Sequence, residues 1–93
     1  MNKEEFINVS KRMVKEYFNR YVLDDEDYEI REQDIQVIML GDTDECYKIT
    51  LTTPDLENLY YGVTYDKKTK KLHSFIYEKE GFRILGRKER IHG

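Results

Sequence analysis

The chain has 93 residues, a formal net charge of −3 and one cysteine, which is enough for a single domain with a modest core. A lone Cys46 excludes an internal disulfide and a cysteine-based zinc site. No apolar run approaches the length of a bilayer span, and Met1-Asn2-Lys3-Glu4-Glu5 lacks the apolar centre of a signal peptide, so the cytoplasm is the expected location. With eight Tyr, four Phe, no Trp and no Ala, the core has to be built largely from aromatic rings.

The first predicted element is a helix over residues 3–22. Phe6, Ile7, Ser10, Met13, Val14, Tyr17, Phe18 and Tyr21 fall on one face at helical spacing, with Glu4, Glu5, Asn8, Lys11, Arg12, Lys15 and Asn19 opposite. Asn2 is placed to cap the first turn, with Glu5 three residues on. The helix is expected to end near Val22, because Asp24-Asp25-Glu26-Asp27 would crowd carboxylates at the negative end of its dipole.

Beyond the helix the period changes to two. Tyr28–Ile30 reads as a short strand or as loop. Strands are predicted at about 35–40, 45–53, 59–66, 71–79 and 82–85, followed by a short basic tail, 86–93. Cys46 lies in the second of these and reads as a small buried hydrophobe. Lys67-Lys68-Thr69-Lys70 joins the third strand to the fourth, which pairs Tyr65 with Leu72, Gly62 with Phe75, Tyr61 with Ile76 and Tyr60 with Tyr77. Phe75 would then cover the bare backbone of Gly62. Glu80-Gly81 reads as a two-residue turn that pairs Lys79 with Phe82 and Glu78 with Arg83. The fold class expected is α+β, a single domain over 1–93. Its N-terminal amphipathic helix packs on one face of a four- or five-stranded antiparallel meander sheet.

No phosphate-binding glycine loop, nucleophile elbow or zinc-protease helix occurs. His73 and His92 lack spaced partners, and the acidic run lacks the alternating spacing that wraps calcium. No catalytic residue, metal ligand or cofactor is therefore assigned, and the expectation is a protein without enzymatic activity.

Charge is unevenly spread. Residues 24–45 hold ten acidic side chains against one basic, whereas residues 67–93 hold nine basic against three acidic. Asp24, Asp25, Glu26, Asp27, Asp42, Asp44 and Glu45 form the candidate acidic surface for a protein partner. Tyr60, Phe75 and Tyr77 form a second candidate, an aromatic patch on the sheet face away from the helix. The same aromatics with Arg83, Arg87, Lys88 and Arg90 would suit a nucleic-acid strand, the alternative partner.

Three stretches, Val14-Lys15-Glu16-Tyr17-Phe18-Asn19, Tyr28-Glu29-Ile30 and Tyr60-Tyr61-Gly62-Val63-Thr64-Tyr65, occur in an order that resembles a family of small uncharacterised proteins from phages and prophages of low-GC Gram-positive bacteria. The resemblance spans roughly residues 3–80. This chain departs from that pattern in lacking a Trp in its first long strand and in extending past Gly81. The resemblance implies a setting in which small acidic proteins bind and block a host protein, with the 24–45 segment imitating phosphate. The expected function is thus a non-catalytic inhibitor of a host or competitor protein. The alternatives are a nucleic-acid-binding accessory protein and a homodimeric structural module.

Overall fold

In the computed structural model, residues 1–22, 30–53, 59–78 and 84–91 are described. Helix α1 covers Lys3–Tyr17. Asn2 caps it through a 2.8 Å hydrogen bond from the Glu5 backbone N–H to its Oδ1, which satisfies one of the orphan donors of the first turn. Past Tyr17 the helix widens into a π-helical segment, Phe18–Val22, where an uninterrupted α-helix to Val22 was predicted. The widening coincides with Asn19, whose side chain is turned to a backbone partner at Ile30 instead of to solvent. Single π turns of this kind occur mostly inside α-helices.

A short 3₁₀ turn, Glu32–Asp34, leads into the sheet. Its strands are β1 Gln36–Asp42, β2 Cys46–Thr52, β3 Leu59–Asp66, β4 Lys71–Glu78 and β5 Ile84–Ile91. They lie in the order β1-β2-β3-β4-β5, all antiparallel. The fold is α+β, with the N-terminal helix on one face of a meander. Tyr65↔Leu72, Gly62↔Phe75, Tyr61↔Ile76 and Tyr60↔Tyr77 pair in the register the four-residue turn implies.

Strand ends shift by a residue or two from expectation, but β5 differs in kind. It runs from Ile84 to Ile91, through most of what reads in sequence as a basic tail. Its ladder to β4 needs only backbone groups, and charged residues are common on a sheet's outer strand. The pairing Tyr77↔Ile84 has the register a turn at Glu80-Gly81 would impose. The turn itself, with Lys79, Phe82 and Arg83, lies outside the described residues, as do Tyr28 and Asp24–Asp27.

The core lies between α1 and the β2–β4 face. Phe6, Met13, Val14 and Phe18 from the helical segment are buried against Tyr47, Ile49, Leu51, Tyr61, Val63, Tyr65, Leu72 and Ile76. Phe6 stacks on Tyr47 with ring centroids 5.3 Å apart, and Tyr47 on Tyr65 at 6.2 Å. Toward the other end of the helix, Tyr17 and Phe18 both meet Tyr61, at 5.8 and 6.1 Å. Such ring pairs add about 0.5–1.5 kcal/mol each beyond area burial. Among the described residues no helix is long and apolar enough to cross a membrane.

Candidate interaction surface

The sheet has two outer strands, and they differ. β5 contains Arg87, Lys88, Glu89 and Arg90, the kind of charged sequence that discourages another strand from pairing. β1 is uncharged from Gln36 to Gly41. Its run Val37, Ile38, Met39 and Leu40 is 40, 52, 58 and 38% exposed.

A bulge explains why this run does not alternate in and out. Val37 pairs with Leu51 but Met39 with Thr50, so Ile38 is an extra residue and the register shifts across it. Directly paired residues share a face. Val37 and Leu40 therefore lie on the helix side with Leu51 and Ile49, and Met39 lies on the open side with Thr50. Sequence periodicity misses this, because a run of four apolar residues carries no face information once a bulge intervenes.

The β1–β2 hairpin closes through Thr43. Its N–H donates to the Cys46 carbonyl at 2.9 Å, and its Oγ1 accepts from the Cys46 and Glu45 N–H groups at 3.1 and 3.3 Å. Cys46 is half-buried, in contact with the Thr43 hydroxyl at 3.6 Å. Asp42, one of the residues of the candidate acidic surface, is paired. Lys67 Nζ donates to its Oδ1 at 2.8 Å and Lys3 Nζ lies 3.8 Å from its Oδ2. The hydrogen-bonded Lys67 ammonium, aided by Lys3, holds the Asp42 carboxyl below the ordinary carboxylate range, and Asp42 in turn raises Lys67. Lys67 also sits 4.2 Å above the Tyr47 ring centroid, a cation–π contact. Reversing Asp42 would set three ammonium groups together, so it tests the fold and not only a surface.

Asp44 and Glu45 remain exposed at the hairpin tip, with no ion pair among the described residues. At the opposite end of β1, Arg31 is paired with Asp34 at 3.2 Å, and Glu32 is exposed without an ion pair among the described residues. Asn19 and Ile30, which bracket Asp24–Asp27, meet at the far end of the helix from Lys3. On the open sheet face Tyr60 and Phe75 are half-buried, with Gly62 buried beside them. Tyr77 is placed by its backbone opposite Tyr60. Among the described residues no group of His, Cys, Asp and Glu could hold a metal ion.

No curated protein and no solved structure matches the chain. The model of one family, described as a family of unknown function (DUF6275), matches residues 7–84, a stretch that takes in most of α1 and all of β1 to β4. That match covers more than half of the chain, and the protein belongs to DUF6275.

Proposed function

We propose that the protein is a non-catalytic binding protein that engages another protein through the β1 margin and its acidic surroundings, and so blocks it. The observation that carries this reading is the exposed, uncharged run Val37–Leu40 inside the most acidic stretch of the chain. Exposed apolar clusters rimmed by charge are typical of protein contacts, and the rim carboxylates would speed encounter with a basic partner. The resemblance to phage and prophage proteins supports a setting in which the partner is a host or competitor protein in the cytoplasm.

The test is capture from a lysate of the native host with immobilised wild-type protein and with the Met39→Lys variant. Met39 is exposed on the open face, so the variant is expected to fold. The expected result is one protein retained in stoichiometric amount by wild type, lost with Met39→Lys and weakened by salt. Retention of nothing but oligonucleotides would point instead to nucleic-acid binding.

A further inference from the structure

The β1 margin differs from an ordinary apolar patch in one respect: its exposed side chains lie on both faces of the sheet. Val37 and Leu40 flank the helix side and Met39 the open side. A partner lying flat on either face would reach only one set. A partner in the plane of the sheet reaches both. The outer backbone groups of β1 have no neighbouring strand among the described residues, and a strand added there would satisfy them. We infer that β1 takes an extended segment of the partner protein as a sixth strand, and that this segment is apolar in the middle and basic at both ends. The inference rests on the binding reading above and specifies its mode.

The basic flanks follow from charge. Of the carboxylates around β1, Asp42 and Asp34 are paired with Lys67, Lys3 and Arg31. Glu32 at one end and Asp44 and Glu45 at the other remain without ion pairs among the described residues. An antiparallel strand on β1 would carry its two ends past these groups. A second copy of this chain fits poorly. Two-fold pairing of β1 with itself would bring Glu32 of one molecule toward Asp44 and Glu45 of the other, and like charges disfavour such an arrangement. The bulge at Ile38 interrupts the ladder locally, and the added strand pairs on either side of it.

The test uses three synthetic peptides on the full chain. One alternates valine and threonine between paired lysines at each end. The second replaces those lysines with glutamates. The third carries a central proline, which cannot donate to a ladder. Binding is followed by amide NMR at low salt, with hydrogen exchange in the saturated complex. The lysine-flanked peptide is expected to bind and to slow exchange at β1 amides by about tenfold. The glutamate and proline peptides should bind about tenfold more weakly, and Met39→Lys should remove binding without changing the melting temperature. Equal affinity for lysine- and glutamate-flanked peptides overturns the inference, as does binding without β1 protection or no binding at all. Sedimentation of wild type as a dimer that Met39→Lys dissociates overturns it in favour of a second copy. If a captured host protein leaves β1 amides unprotected, strand addition fails while the binding reading stands. If no protein is captured, the binding reading itself fails.

Discussion

Asn19 holds Ile30 as a neighbouring strand would. The Ile30 N–H donates to Asn19 Oδ1 at 2.8 Å and the Asn19 Nδ2 group donates to the Ile30 carbonyl at 3.1 Å. The Ile30 side chain is fully buried, so this pair ties the chain leaving the acidic stretch to the end of the helix. Replacing Asn19 with Ala would strand a donor and an acceptor on a buried residue. The expected loss is about 1–3 kcal/mol, measured by urea denaturation, with faster exchange of the Ile30 amide. An unchanged midpoint would mean that water replaces the carboxamide.

The Asp42 site predicts a pH dependence. Asp42 has a folded-state pKa below its ordinary 3.8, so its stabilisation is present above that value and lost as pH falls through the folded pKa. Lys67 is raised above 10.5, so its share is present below that value and lost as pH rises through the folded pKa. The melting temperature of Asp42→Asn should therefore fall below wild type by a constant gap near neutrality, and the gap should narrow below about pH 4. A gap that stays constant down to pH 2 would show that the loss is not electrostatic.

Lys70 is the non-glycine residue with a positive φ, 61°, among the described residues. Its N–H closes the β3–β4 turn onto the Asp66 carbonyl at 2.8 Å. The Asp66 carboxylate accepts the Thr69 and Lys68 N–H groups, which lower its pKa. The left-handed conformation costs an L residue about 1–2 kcal/mol, and glycine adopts it freely. Lys70→Gly should raise the melting temperature by about 4–8 °C if about 1 kcal/mol is recovered. A Gly variant melting below wild type would show that unfolded-chain entropy outweighs the relief.

Ser10 is fully buried and its hydroxyl has no hydrogen-bond partner among the described residues. Ser10→Ala removes that unsatisfied group and improves helix propensity. The expected gain is about 0.5–1.5 kcal/mol, read by thermal or urea denaturation. A loss of stability would indicate that the hydroxyl is bonded to a helix carbonyl one turn back.

Legibility of the fold followed the locality of the signals. Asn2 and Glu5 carry a cap within one turn, and Lys67–Lys70 fixes the Gly62↔Phe75 pairing by loop length alone. The π turn at Phe18 left no trace in the periodicity, and the partner of its Asn19 lies eleven residues on, at Ile30. β5 was cut short because Arg87, Lys88 and Arg90 look like a tail until β4 supplies a ladder. At the candidate site, the acidic composition was visible. The pairing of Asp42 with Lys67 was not, since it bridges two separate hairpins. The exposed margin was hidden too, since Val37–Leu40 reads as an ordinary strand until the bulge is seen.

The arrangement of helix and sheet also bears on how the chain comes off the ribosome. Every strand pairs with its neighbour in sequence, so each hairpin can close soon after it is made. The helix is different. Phe6 waits for Tyr47, and Tyr17 and Phe18 wait for Tyr61. At about 5–20 residues per second of synthesis, the apolar side of the nascent helix goes uncovered for seconds before its sheet exists. That interval is when a chaperone would find the chain most readily.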